Sequence, residues 1–406
     1  MNVKDCALAI LITVYNSIHC ERLKMKRYLG KLGFILFLLC FASNASAFET
    51  SAKAAYVIDL KTNAVLLSKN PDEPMQPASL SKLMTLNMVF EALKDGRLAL
   101  DDKLPVSRHA EKYKGSTMFL TTRHRPTVQE LIKGVVVLSG NDASAVLAEA
   151  LSPDGTENGF ANLMTRRAKQ LGMNNSTFGN SNGWPHPKQL MSAKDLAIIA
   201  ARIINEFPEY YPYFSEREFT YDNITQPNRN PLLKLGLGAD GLKTGWTQKA
   251  GYGIVGSALQ DGRRVVFVLT GIKSPKTRAR EAEKINNWVF RQFTEKKLLT
   301  AGDVIHMAPV HLGEKNLVRI TLKEDLMGLI PAMMDGEVKT EIKYLGPIKA
   351  PITKGQEIGE IIVTIPSLVS FSKPIIAAES IEDGGFLARL KFALIKTQAA
   401  LFSGDD

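Results

Sequence analysis

The pattern of apolar and polar positions divides the chain into four textures. The first is a single apolar run, Leu32 to Ala42, preceded by Lys26, Arg27 and Lys31 and followed by Ala45-Ser46-Ala47. Basic, then apolar, then small-x-small is the order of a secretory signal peptide. Residues 1–47 are therefore expected to be a signal, cleaved after Ala47. The run is too short to span a bilayer comfortably. Met25 fits the start of such a signal better than Met1 does.

The second texture is mixed. Tyr56-Val-Ile-Asp-Leu60 and Val65-Leu-Leu-Ser68 flank Lys61-Thr-Asn-Ala64, which reads as a β-hairpin. After Pro71, Pro74 and Pro77, the segment opening at Ser79 places Leu80, Leu83, Met84, Met88 and Phe90 at helical spacing and stops at Gly96. Thr127-Val-Gln-Glu130 is a capping box for a helix running toward Val137, Asn141 to Leu151 is helical again, and Ser192-Ala-Lys-Asp195 opens a further helix. Strands return at Gly241 to Thr247, Gly253 to Ala258 and Arg264 to Thr270, with Asp261-Gly262 as the last turn, and a helix from about Thr277 to Thr294 closes the unit. Early strands, a helical middle, late strands and a final helix predict one sheet with helices packed on it. The first and last segments should be neighbours.

The third texture begins near residue 300. Short alternating runs at Val318 to Leu322, Glu337 to Ile342 and Gly359 to Ile365 predict a small all-β domain. In the fourth, Phe386, Leu387, Leu390, Leu394 and Leu401 share a helical face edged by Arg389, Lys391 and Lys396. An amphipathic helix lying in a membrane interface is expected there. The resulting division is a signal over 1–47, an α/β domain over 48–298, a β-sandwich over 299–378 and an amphipathic helix over 383–403.

Composition narrows the chemistry. The net charge is +10, but residues 1–47 hold six Lys/Arg against only Asp5 and Glu21, and no dense basic block with interleaved aromatics remains beyond them. Nucleic-acid binding is not favoured. Cys6, Cys20 and Cys40 all fall in the signal segment, so the mature chain has neither disulfides nor thiolate metal ligands. The six histidines show no metal-binding spacing, and no metal or other cofactor is implied.

Three motifs occur in order: Ser79-Leu-Ser-Lys82, Ser139-Gly-Asn141 and Lys243-Thr-Gly245. Each alone is weak. Ser370-Phe-Ser-Lys373 also fits the first pattern, but it precedes Pro374 in a β-like region and opens no helix. The ordered set is the stronger signal. A serine at the first turn of a helix has a lysine three residues on within reach of its hydroxyl. A free serine is a poor nucleophile and needs an adjacent base. Lysine serves only when neutral, which burial and a second cation, Lys243 for instance, would favour. The helix start also offers N–H groups to a developing oxyanion. No GxSxG sequence competes for the nucleophile's role.

With these motifs and their flanks, the chain resembles the D-alanyl-D-alanine carboxypeptidases, low-molecular-mass penicillin-binding proteins related to β-lactamases. Pro77-Ala-Ser-Leu-Ser-Lys82, Leu138-Ser-Gly-Asn-Asp142 and Asp240-Gly-Leu-Lys-Thr-Gly-Trp-Thr247 are similar to the family's three motifs. Ala350-Pro-Ile-Thr-Lys-Gly-Gln356 is similar to a stretch of its C-terminal β domain. The resemblance implies the α/β (α+β) sandwich of the β-lactamase and penicillin-binding transpeptidase type, with no cofactor. It makes Ser79 the nucleophile, Lys82 its base and Ser139 the proton relay to the leaving D-Ala. Asn141 would orient Lys82 and the substrate amide, Lys243 would support the electrostatics, and Thr244 would bind the terminal carboxylate. The N–H groups of Ser79 and Trp246, beside Gly245, would form the oxyanion hole. Arg278 would help fix the carboxylate, with Arg280 close by as the competing choice. Several relatives have histidine at the position of Trp246; a main-chain donor is indifferent to that exchange.

The implied partners are the peptidoglycan pentapeptide as substrate, β-lactams as covalent inhibitors, and the outer face of the inner membrane through the tail, in the periplasm. A β-lactamase or a peptidoglycan endopeptidase would share the three motifs. A non-catalytic penicillin-binding scaffold would be expected to lack Ser79, Lys82 or Ser139.

Overall fold

The computed structural model describes residues 48–386 apart from 333, 335 and 367, together with 390. The signal segment, its three cysteines and most of the tail expected at 383–403 lie outside the described residues. No helix among those described is long and apolar enough to cross a membrane.

The chain opens with the expected hairpin, β1 (Ala54–Asp59) and β2 (Val65–Lys69). A 3₁₀ turn, Ala78–Ser81, then leads into α1 (Lys82–Lys94). Leu83, Met84, Leu86, Val89 and Phe90 are all fully buried, so α1 runs through the middle of the core. Next comes α2 (Val128–Lys133), which starts on the complete Thr127/Glu130 capping box. It does not continue as α-helix toward Val137: Gly134–Leu138 is wound as a π-helical segment. Two further helices, α3 (Asn141–Leu151) and α4 (Glu157–Gln170), pack on α1. Then α5 (Ala193–Glu206) is capped by the Ser192 side chain, which accepts from Asp195 N–H.

A small hairpin, β3 (Glu218–Tyr221) and β4 (Ile224–Pro227), precedes three long strands: β5 (Ala239–Thr247), β6 (Gly251–Gln260) and β7 (Arg263–Ile272). The five-stranded sheet has the order β2-β1-β7-β6-β5 and is antiparallel throughout. First and last strands are neighbours, as the chain order implied, with Tyr56 opposite Val268. The central strand β7 is the most apolar because it is covered on both sides, by α5 and by α6 (Pro275–Arg291). β5 is an edge strand, so backbone groups along its outer side have no sheet partner.

After α6, β8 (Phe293–Leu299) pairs with β11 (Leu326–Pro331), so the residues just before position 299 already belong to a second β system. The remaining strands are β9 (His306–His311), β10 (Leu317–Thr321), β12 (Lys339–Tyr344), β13 (Ile348–Lys349), β14 (Glu357–Thr364) and β15 (Phe371–Ala377). They form a sheet of order β12-β14-β15-β10-β9-β13. Val318, Ile320, Ile361, Val363 and Ile375 make its separate core. Arg263 ties the two systems: Nε donates to buried Asp59 at 2.8 Å, and Nη1 to the carbonyl of Phe293 at 2.9 Å.

Candidate active site

Ser79 lies inside the 3₁₀ turn, and Lys82 is the first residue of α1; the serine is one turn earlier than an α-helical reading places it. The difference helps the chemistry, because side chains at i and i+3 eclipse in a 3₁₀ helix. Lys82 Nζ stands 2.9 Å from Ser79 Oγ. It also donates to Asn141 Oδ1 at 2.8 Å and to the carbonyl of Asn182 at 2.5 Å. The lysine is 0% exposed. Burial first, then the positive charge of Arg229, bring its pKa down to about 7, against the opposing pull of Asp142 and Glu157. A neutral amine has two N–H groups and one lone pair. Asn141 and Asn182 take the N–H groups, which leaves the lone pair for the Ser79 hydroxyl.

The second motif is placed by the π-helical segment. Ser139 follows it with φ of 62°, a left-handed conformation uncommon outside glycine, and is buried. Asn141 then opens α3 with its side chain bridging two parts of the site: Oδ1 accepts from Lys82, and Nδ2 donates to the carbonyl of Lys114 at 2.8 Å. Asp142 is buried behind it. Its carboxylate accepts from the N–H groups of Met118, Leu120 and Ala143 at 2.8 to 3.1 Å. Burial pushes the Asp142 pKa up, and these bonds pull it down. Together Asn141 and Asp142 hold the segment 114–120 against the site.

The third motif lies on β5. A Cβ on Gly245 would come within 3.0 Å of the Pro77 carbonyl and 3.2 Å of Leu80 N, so glycine there lets the strand approach the nucleophile's turn. Lys243 is buried, and Nζ donates to the Thr244 carbonyl at 3.3 Å. Its pKa falls well below the ordinary lysine value, through burial and then the charges of Lys82, Arg229 and Arg278. The cation that depresses Lys82 is thus Arg229, whereas Lys243 is itself depressed by Lys82. Thr244 is buried; Trp246 is 55% exposed, and its ring lies 5.6 Å from that of Tyr252. Arg278 is half-buried with its guanidinium 5.8 Å from the Tyr252 ring, while Arg280 is exposed, which separates two arginines that the sequence left open. Arg278 Nε is buried without a hydrogen-bond partner, an orphaned cationic donor beside the other charges.

Four contributors were not read as site residues from the sequence. Asn182 supplies the carbonyl facing Lys82. Glu157 fixes the segment that carries it, accepting from Ser181 N–H at 2.9 Å and from Asn182 Nδ2 at 3.2 Å. Gly183 completes the fit, with φ of 85° and a Cβ position only 1.9 Å from the Ala78 carbonyl. Arg229, hydrogen-bonded to Ser116 Oγ, adds the positive charge. Trp184, two residues beyond Asn182, lines a cleft of about 580 Å³ with Tyr113, Asn158, Asn180 and His186. No group of metal-ligating side chains occurs among the described residues.

This arrangement can carry out acyl transfer: a serine beside a buried amine of lowered pKa, an edge strand for an oxyanion, and a cationic cluster for a carboxylate. Residues 41–274 match the family described as D-alanyl-D-alanine carboxypeptidase, and residues 293–383 match the penicillin-binding protein 5 C-terminal domain. The D-alanyl-D-alanine carboxypeptidase DacF of Bacillus subtilis is 34% identical over 382 residues, covering 90% of this chain and 97% of that one. DacC of Escherichia coli is 35% identical over 89% of this chain and 94% of its own length. Among solved structures, penicillin-binding protein 5 from Haemophilus influenzae superposes with a TM-score of 0.73 at 34% identity, covering 84% of this chain and all of that one. The ampicillin-bound form of penicillin-binding protein D2 from Listeria monocytogenes has a TM-score of 0.55 at 31% identity over 60% of this chain and 99% of its own.

Proposed function

Because this chain belongs to the D-alanyl-D-alanine carboxypeptidase family, we propose that it removes the terminal D-Ala of peptidoglycan pentapeptides through an acyl-enzyme on Ser79. One observation carries the assignment of roles: the fully buried Lys82 amine, 2.9 Å from Ser79 Oγ, with both its N–H groups accounted for by other acceptors. Lys82 takes the Ser79 proton as Oγ attacks the carbonyl of the penultimate D-Ala. The N–H groups of Ser79 and Trp246 receive the oxyanion. Ser139 passes a proton to the departing D-Ala amine, and water then releases the shortened peptide. Lys243, Thr244, Arg278 and the added charge of Arg229 hold the terminal carboxylate. β-Lactams, which carry a reactive carbonyl and a carboxylate in similar places, acylate the same serine. The relative solved with ampicillin bound supports that reading.

The basic, apolar and A-x-A order of residues 26–47 supports export, and the basic amphipathic tail supports attachment to the outer face of the inner membrane. A protein truncated after residue 380 should leave the membrane fraction; one that stays with membranes excludes the anchor.

The test of the reaction is release of D-Ala from a diacetylated tripeptide ending in D-Ala-D-Ala, run beside labelling with a fluorescent penicillin. Ser79→Ala should lose both signals. Release that persists in the variant overturns the role of Ser79, and labelling without release points instead to an endopeptidase.

A further inference from the structure

The Lys82 amine is aimed by two acceptors that come from separate parts of the chain. Asn141 Oδ1 takes one N–H group and the Asn182 carbonyl takes the other. Asn141 is itself oriented through Nδ2, which donates to the Lys114 carbonyl. The Asn182 carbonyl sits in a segment without helix or strand. One group touches both the 113–114 and the 181–182 segments: the carboxylate of Glu157.

Glu157 is the first residue of α4, behind the Thr156 cap, and is buried. Its two oxygens face different walls of the site. Oε1 accepts from Ser181 N–H at 2.9 Å, from the Ser181 hydroxyl and from Asn182 Nδ2 at 3.2 Å. Oε2 accepts from the Tyr113 hydroxyl at 2.6 Å and bonds His109 Nε2 at 2.7 Å. Tyr113 immediately precedes Lys114, whose carbonyl holds Asn141. The two walls also meet directly. The Tyr113 and Trp184 rings pack edge-on at 6.1 Å, and a Cβ on Gly115 would lie 3.7 Å from Asn141 Nδ2 and 3.8 Å from the Trp184 ring.

These five bonds use the whole acceptor capacity of an ionised carboxylate, about four lone-pair sites. An amide at the same place would turn N–H groups toward other donors. The charge also reaches the base. Burial and Arg229 depress the Lys82 amine, and Asp142 and Glu157 oppose them. Lys243 is the further charged group of that cluster. The titratable groups facing Glu157 itself are His109, Tyr113 and Glu149, the last hydrogen-bonded to Ser107 Oγ at 2.8 Å.

We propose that Glu157 is a positioning residue for the base: by tying both segments to one anion, it holds the two acceptors of Lys82 and so turns the amine's lone pair toward Ser79. The proposal rests on the carboxypeptidase reading. Its test measures the second-order rate of penicillin labelling across pH, beside D-Ala release. Wild-type protein is measured first; absence of both signals removes the reading and the positioning role with it. Glu157→Gln keeps the shape and removes the charge. Its plateau labelling rate should fall about 10–100-fold, and the rise of rate with pH should move to lower pH, because the ammonium has lost a nearby anion. Glu157→Asp keeps the anion on a shorter arm; it should return the rise to its wild-type pH with only part of the rate. Tyr113→Phe removes a single bond from one wall and should slow labelling about threefold to tenfold, with the pH dependence unchanged. Should Glu157→Gln fail to fold, the other two variants carry the test. Wild-type rates in Glu157→Gln or in Tyr113→Phe overturn the proposal. A slowed Glu157→Gln whose rise stays in place also overturns it, since Glu157 would then serve the fold alone. So does a rise moved to higher pH, which would mean that Glu157 only keeps water from the amine.

Discussion

The α/β region and the C-terminal β region are built by opposite rules. Between Ala54 and Arg291 the interior encloses Lys82, Asn141, Asp142, Glu157 and Lys243, together with the left-handed Ser139. Beyond residue 300, Thr321 is the one buried polar side chain among the described residues, set in a core of Ile, Val, Leu and Ala. Buried charge is costly unless it is paired. A region that needs only to fold avoids it, as the β sheets do. A region that must hold an amine neutral near pH 7 has to contain it. The difference marks where the molecule does its chemistry.

Lys82→Arg tests this contrast most severely. A guanidinium keeps its proton at any working pH, so the base is lost while the positive charge remains. Penicillin acylation should slow about 10²–10⁴-fold, measured as the second-order labelling rate; near-normal labelling would remove Lys82 from the mechanism. Ile320→Ala probes the other region. It should destabilise the β sheet by about 2–5 kcal/mol in chemical denaturation and leave the acylation rate unchanged. A parallel fall in acylation would show that the two regions work as one.

Smaller effects sharpen the site itself. Arg278→Ala should lower kcat/KM on the peptide about 10–100-fold through its carboxylate contact, whereas Arg280→Ala should change it less than about twofold. Reversed outcomes would exchange the two arginines. The pH profile gives the finest test. The Lys82 pKa is lowered to about 7, and its neutral form is the base. Acylation should therefore rise as pH increases through about 7 and level off above it. Asn141→Asp would place a carboxylate beside the ammonium, stabilise the proton and move that rise to higher pH. An unmoved profile would show that Lys82 is not the titrating group.

Much of the fold was legible because periodicity and caps are local. The 54–69 hairpin, the Thr127/Glu130 box, the Ser192 cap and the three late strands all announce themselves within a few residues. The turn from α-helix to π-helix at Gly134 was not legible, since it answers to the packing that places Ser139. Nor was Ser79's position in a 3₁₀ turn, where β5 and Gly183 press on the chain.

By its sequence alone this protein declared its three motifs, their order, the residue types of a serine–lysine acyl transfer and the switch to β structure near residue 300. Each of these depends on neighbours along the chain. Tertiary structure decided which acceptors hold Lys82, which cation lowers its pKa, and which arginine faces inward. The Asn182 carbonyl meets Lys82 from 100 positions away, the Arg229 charge acts from a distant loop, and Asp142 positions Phe119 from the start of another helix. Burial and electrostatics act through space, so no local pattern could have recorded them.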